Sequence, residues 1–317
     1  MSVVTWDSFR AAEHFTMRTA RLIDRYRFAY HFQAGPAEPI RSALAAYRNI
    51  DGGYGNALDP DLRGHASQPL AVDTALRYLD ELGAVPEELG QGICRYLATV
   101  SAPDGGLPPV TPAVRHTEAA PWWREHTGRT PDLALTASIV GRLHRHNITH
   151  PWRDLATAYC WKQIDALHWT DPHEAIGICL FLQYVPDRPR AVATVNHLAT
   201  MIRAVLCIRP EDTAVPDPRT VAAPRHHIHT PLDLAPDPSS IARPMFTDAE
   251  LEAHLDHIER TQRPDGGWDS DWDHWDTTAT LELEGIRTIQ RLLVLRAYGR
   301  LGDTASAHTP RDGRRPQ

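Results

Sequence analysis

Three Asp-Gly-Gly turns constrain this chain more than any other feature: Asp51-Gly52-Gly53-Tyr54, Asp104-Gly105-Gly106-Leu107 and Asp265-Gly266-Gly267-Trp268. The first two lie 53 residues apart, and the gap to the third is 161, close to three times 53. A unit that recurs at such a period is a supersecondary element that buries its apolar face only by stacking on its neighbours. Roughly six units, with degenerate middle copies, fill the length. Glycine supplies the positive φ that a tight corner between two helices requires.

Each unit reads as two helices. Ser67-Gln68-Pro69 is a start signal with proline in the first turn, and Leu70, Leu76, Leu79 and Leu82 then recur at helical spacing up to Gly83. Cys94, Leu97 and Ala98 carry the next helix. Thr130-Pro131 opens another, with Leu135, Ile139 and Leu143 on one face. Asp171-Pro172-His173-Glu174 and Thr247-Asp248-Ala249-Glu250 have capping-box form. They lead into the apolar faces Ile176, Leu180, Tyr184 and Leu251, Leu255, Ile258. Residues 187–206 and 278–301 complete the set, and no segment alternates with the period of a strand. The pattern predicts a single all-α domain over 1–303. Eight prolines and little periodicity between Ile208 and Pro244 predict a long loop over 208–246, of the kind that serves as a lid. The polar stretch 304–317 reads as a disordered tail.

The formal net charge is -7, without the basic stripe of a nucleic-acid binder. Mean hydropathy is -0.40, and no apolar run approaches the roughly 18–20 residues of a membrane span. Asp7, Arg10, Glu13 and Asp24 interrupt the apolar residues of 1–27, which is not the pattern of a secretory signal, so a cytoplasmic location is expected. Cys94, Cys160, Cys179 and Cys207 have no metal-ligand spacing and are expected as buried thiols.

The last turn reads Ile258, Gln262, Gly266, Trp268 and resembles the QW repeat of squalene-type cyclases; Tyr96-Leu97, Ser101, Gly105 and Leu107 keep its shape in the second. The stretch 47–61, with Tyr47-Arg48-Asn49 and Asn56-Ala57-Leu58-Asp59-Pro60-Asp61 about the first turn, is similar to a signature of small bacterial proteins with prenyltransferase/squalene-oxidase repeats. So are Ala120-Pro121-Trp122-Trp123, Gly285-Ile286-Arg287-Thr288 and Tyr298-Gly299-Arg300, and the likeness covers most of 38–302. The resemblance implies an α/α toroid of the terpenoid-cyclase superfamily, a ring of about six helical hairpins of the (α/α)6 type. It implies fold far more than chemistry, which must be argued from a site.

Asp269-Ser270-Asp271-Trp272-Asp273-His274-Trp275-Asp276-Thr277-Thr278-Ala279 resembles the Asp-Xaa-Asp-Asp-Thr-Ala motif of protonation-initiated terpene cyclases, whose third residue is the acid. Such an acid is kept neutral by burial and like-charged neighbours until it donates. In one register Asp269 and Asp271 match and Trp272 replaces the fourth residue; in the other Asp273, Asp276 and Thr277 match and Trp275 replaces the acid. The resemblance implies Asp271 as the proton donor, with Asp269 or Asp273 as its charged neighbour. A solvated loop in which Asp276 or Thr277 caps the next helix accounts for the same residues. So does a cation loop through Asp269, Asp271 and Asp273, although the glycine of a calcium loop is missing.

Trp122, Trp123, Trp272 and Trp275 are candidates to line a cavity that guides a carbocation, at about 0.5–2 kcal/mol per cation–π contact; hairpin packing is the plain alternative. Asp59, Asp61 and Tyr54, with Arg63 and His65 beside them, are candidates to bind a polar head group, or else form a helix-linking turn. Asp73 lies in an apolar stretch, either buried or on the outer face. His226, His227 and His229 would need a further zinc ligand from elsewhere, and no metal site is assigned. Acid-initiated cyclisation needs no cofactor; Mg²⁺ enters only with a diphosphate substrate, for which Arg142, Arg145, His146, Arg124 and Arg129 are the available cations. Three functions stay open. One is a cyclase of a small apolar or isoprenoid substrate. Another is a carbohydrate-processing toroid with carboxylates about 5–10 Å apart, Asp59 or Asp61 facing Asp271. The third is a non-catalytic binding toroid. A dry pocket favours the first and an acid-lined wet groove the second. The sequence sets no oligomeric state.

Overall fold

The three Asp-Gly-Gly segments fold into one and the same turn. The computed structural model describes residues 4–212, 228–270 and 275–302, and in it Gly52, Gly105 and Gly266 have φ of 90°, 91° and 94°. Their amides close onto the carbonyls three residues back, at Asn49, Ala102 and Arg263 (3.1, 2.9 and 2.9 Å). Each aspartate Oδ1 accepts the N–H of the second glycine: Asp51 from Gly53, Asp104 from Gly106, Asp265 from Gly267 (2.9, 3.3 and 3.0 Å). The carboxylate thereby satisfies an amide that the turn itself leaves open.

The described residues are all-α, with only isolated β-bridges and no strand. The helices are α1 (Trp6–Thr19), α2 (Leu22–Phe32), α3 (Glu38–Ala45), α4 (Pro69–Glu81), α5 (Glu87–Val100), α6 (Pro121–Glu125), α7 (Leu133–Arg145), α8 (Pro151–Asp165), α9 (Pro172–Tyr184), α10 (Arg188–Ala204), α11 (Pro231–Leu234), α12 (Asp248–Arg260) and α13 (Thr277–Ala297). The Thr247/Glu250 capping box opens α12 with both reciprocal bonds, whereas at α9 Asp171 alone caps, accepting from the Glu174 amide (3.0 Å). None of these helices is long and apolar enough to cross a membrane. All four cysteines are buried free thiols.

The turn glycines also seat each corner on the backbone of another helix. A Cβ on Gly52 would lie 2.4 Å from the Gly92 carbonyl oxygen of α5, one on Gly105 2.7 Å from the Ala156 nitrogen of α8, and one on Gly266 2.1 Å from the Ala11 carbonyl oxygen of α1. The second glycine of each turn faces an aromatic ring further along the same helix: Tyr96, Tyr159 and Phe15. The corner after α3 therefore rests on α5, the corner after α5 on α8, and the corner after α12 on α1. Gln262 fixes the last of these, donating to the Ser8 carbonyl of α1 (2.8 Å) and to that of Gly266 (2.9 Å). Trp268 instead stays within its own hairpin, its indole N–H on the Ile258 carbonyl (2.8 Å).

Behind the corners, α4 packs on α7, α7 on α8 and α9, α9 on α10 and α11, α11 on α12, and α13 on α1 and α2. The α7–α9 pair approaches backbone to backbone, because a Cβ on Gly177 would lie 2.2 Å from the Ala134 oxygen and one on Gly141 2.7 Å from that of Leu180. The segment ahead of α1 meets the one after α13 where the Val4 amide donates to the Arg300 carbonyl (2.9 Å). Buried Arg300 gathers Glu252, Asp256 and Glu259.

Two boundaries differ from the sequence expectation. The α7 helix starts after Asp132, which caps Leu135 (2.7 Å), because the Asp132 amide is held in a bridge to the Leu107 carbonyl (2.8 Å) and Thr130-Pro131 stays outside the helix. The expected loop 208–246 contains α11, opened by a Thr230/Asp233 capping box, and a short 3₁₀ turn at Arg243–Met245. Residues 213–227 of that loop, and the expected tail 304–317, lie outside the described residues.

Candidate functional site

Asp59 and Asp61 lie in the connection between the first turn and α4. The approach to them is strained: Asn56 and Ala57 sit at φ 55° and 63°, which costs an L-residue such as alanine about 1–2 kcal/mol. Strain of this kind concentrates at functional sites. Pro60 fixes the turn, Asp59 Oδ1 accepts the Asp61 N–H (3.0 Å), and Asp59 Oδ2 accepts the Thr74 hydroxyl of α4 (3.0 Å). The chain then pairs with 118–120, Arg63 donating to the Glu118 carbonyl and Ala120 to that of Asp61 (both 2.9 Å). That pairing delivers α6, and with it Trp123, beside Asp61. From the other end of the chain, just ahead of α13, the Trp275 indole N–H donates to Asp61 Oδ1 (2.9 Å). The Trp123 indole makes a second contact with this carboxylate, but its N–H is not aligned as a full hydrogen bond.

Burial raises the proton affinity of both carboxyls. It holds Asp59 above the usual carboxylate range, and together with the Asp59 charge it pushes Asp61, only 8% exposed, up to about 7. Two interacting carboxyls of this kind titrate as a pair, and a carboxyl poised near neutrality, as Asp61 is, is matched to general acid catalysis.

Two of the guanidinium groups nearby, Arg63 and Arg21, bind other partners. Arg63 binds both oxygens of Glu282 on α13 (3.1 and 3.0 Å), and Arg21 lies 3.9 Å from the same carboxylate. Arg21 also holds Asp24 (2.8 Å), the Leu58 carbonyl (2.7 Å) and the Tyr78 hydroxyl (2.8 Å). Fully buried Arg27 joins Asp24 (2.7 Å) to Glu81 (2.5 Å), and His31 completes the row on Glu81 (3.0 Å). Burial opposes the charge on Glu81, but Arg27 and His31 outweigh it and bring the carboxyl down to about 2. A chain of charge-assisted bonds thus runs from the loop of the acid pair across α2 and α4.

Of the residues singled out in the sequence, the structure brings Asp59, Asp61, Trp123 and Trp275 together, with half-buried Trp122 next in chain to Trp123. Asp271, Trp272 and Asp273 lie outside the described residues, as do His226 and His227. Asp269, expected as a charged neighbour of Asp271, is exposed. Asp276 caps α13, accepting from Thr278 and Ala279 (both 2.9 Å). Tyr54 is 1% exposed and packs in the core, where burial pushes its hydroxyl up to about 12. Asp73 pairs with Arg142 (2.8 Å), and Asp80 takes both Arg145 (2.7 Å) and His146 (2.6 Å), so these cations answer carboxylates of α4.

His229 meets His173 at the start of α9, Nε2 to Nε2 at 3.3 Å, with burial bringing His229 down to about 3. Glu174, beside it, is pushed up to about 7 by burial. No group of three or more metal-binding side chains occurs among the described residues. Sequence reasoning missed Glu282, Arg21 and Thr74; Glu282 and Thr74 are ordinary helix residues and Arg21 precedes α2, and only tertiary packing gives each a role. An open cavity of about 590 Å³ beside the first turn, lined by Arg48, Asp51, His65, Ser67 and Tyr96, contains none of the candidate acids. No protein-family model matches the chain, and no curated protein matches it at a significant level.

Proposed function

We propose that the chain is an α/α toroid related to the squalene-cyclase-type repeat proteins, and that its Asp59–Asp61 pair is the proton donor of an acid-initiated cyclisation of an isoprenoid-type substrate. The toroid reading is supported by the corner contacts, whose third copy returns from α12 to α1, and by the packing of α13 on α1 and α2. The observation that carries the chemical reading is Asp61 itself, a nearly buried carboxyl raised to about 7 between a second acid and two indoles. Desolvation is the largest cause of that rise, which favours a dry site. Trp123 and Trp275 put aromatic side chains next to the donor, and an aromatic lining stabilises a cation formed by protonation without trapping it as a nucleophile would. In this reading the acid comes from the first connection and not from Asp271.

A second reading, a carbohydrate hydrolase or lyase, is favoured by the charged groups Arg21, Arg63 and Glu282 close to the acid pair. The test is turnover of acyclic polyprenyl alcohols, their diphosphates and oligosaccharides between pH 5 and 9 by wild type and Asp61→Asn. Cyclised products that vanish in a folded Asp61→Asn are expected. Product from oligosaccharides alone moves the assignment to the second reading, and undiminished turnover in Asp61→Asn removes this acid from the mechanism.

A further inference from the structure

Arg63 follows Asp61 by two residues, and its charge reaches that carboxyl. Yet the two form no ion pair among the described residues. The Arg63 Nη1 is turned to Glu282 and bonds both of its oxygens (3.1 and 3.0 Å). Its Nη2 is buried and has no hydrogen-bond partner. Asp61 Oδ1, where a guanidinium would dock, carries the Trp275 indole N–H instead (2.9 Å). A buried guanidinium that leaves one nitrogen unbonded beside a carboxyl is being held by its other partner.

We propose that Glu282 is a positioning residue, which draws the Arg63 guanidinium off Asp61 so that the acid pair keeps its proton. This rests on the reading of Asp59 and Asp61 as a proton donor and deepens it. The groups facing Asp61 are Asp59 and Arg63 on its own loop, Trp123 from α6, and Trp275 ahead of α13; Arg21 and Arg77 act on Asp59. Glu282 is shared by Arg63 and Arg21. Neutralising it releases two guanidinium groups next to the acid pair, and the nearer one has a free nitrogen with which to bind. An opposite charge within about 4–6 Å lowers a carboxyl by about 1–3 pH units.

The experiment is a ¹³C-carboxyl NMR titration of Asp61 in the full chain, for wild type, Glu282→Gln, Arg63→Met and the double variant. Asp61 is expected to titrate near neutrality in wild type, lower by about 1–3 pH units in Glu282→Gln, and near neutrality again when Arg63→Met is added. A structural loss caused by Glu282→Gln would not be rescued by removing Arg63. An unchanged midpoint in Glu282→Gln, or a lowered one that Arg63→Met fails to restore, overturns the role of Glu282. A wild-type Asp61 titrating in the ordinary carboxylate range overturns the proton-donor reading instead, so the two failures are distinct.

Discussion

Gly266→Ala isolates the contact that joins the last hairpin to the first helix. Gly266 has φ 94°, and an added Cβ would lie 2.1 Å from the Ala11 carbonyl oxygen, where ordinary contact begins at 3.4 Å. The left-handed conformation alone costs alanine about 1–2 kcal/mol. The overlap with a helix backbone cannot be relieved by a rotamer change, so the corner must lift off α1 by more than an ångström. Lifting it breaks the Gln262 bond to the Ser8 carbonyl, about 1 kcal/mol, and parts Gly267 from the Phe15 ring. A loss of at least about 2–3 kcal/mol is expected. Gly299→Ala is the control: its φ is 70°, but nothing lies within 4 Å of the added carbon, so only the conformational cost of about 1–2 kcal/mol applies. Guanidinium unfolding followed by tryptophan fluorescence, compared at unchanged m, should separate the two variants by at least about 1 kcal/mol, roughly 5-fold in the unfolding equilibrium. Variants within about 0.5 kcal/mol of each other would show that the corner does not bear on α1.

Two further outcomes follow from buried charge. Because Asp61 in the folded chain titrates at about 7 against about 3.9 unfolded, the native state binds more protons between those values, and this group makes stability fall as pH rises from about 4 to about 7. Urea midpoints of Asp61→Asn measured from pH 4 to 8 should lack that decline, and parallel wild-type and variant curves would contradict it. Arg27→Met leaves Asp24 and Glu81 buried with their shared cation gone, and should cost about 3–5 kcal/mol; a loss below about 1 kcal/mol in chemical denaturation would mean that water already screens the network.

The corners were legible because one backbone conformation demands one residue type, and Asp-Gly-Gly advertises it three times. The helix starts were legible where the capping side chain also binds locally, as at Thr247 and Asp171. The start at Asp132 was not, since Thr130-Pro131 is an equally good local signal and a long-range bridge to Leu107 decides between them. The α11 helix was hidden among prolines, although Thr230 and Asp233 spell its cap. Asp24 and Arg27 on α2 lie 57 and 54 residues before Glu81 at the end of α4, and the three become one buried network only when α2 meets α4. Asp59 and Asp61 were visible as acids, but not as acids under indoles, because Trp275 is 214 residues away.

That separation has a physical consequence. The acid pair is contributed by the first connection, while Trp275 and Glu282, which dress Asp61 and restrain Arg63, come from the start of α13. The same helix packs on α1 and α2, next to the Gly266 corner and the Val4–Arg300 bond. Docking of α13 is therefore the event that removes Asp61 from water, seats the indole on it and gives Arg63 its counter-ion. Without that docking, desolvation, the largest cause of the elevated proton affinity, is lost, and Asp61 returns toward an ordinary carboxylate. The Asp61 midpoint thus reports on the junction of α13 with α1: Gly266→Ala, which touches neither carboxyl, should lower it in proportion to the fraction of molecules whose last corner has left α1. A midpoint held near 7 in a variant shown to be loosened there would mean that the acid is shielded by its own connection and α6 alone.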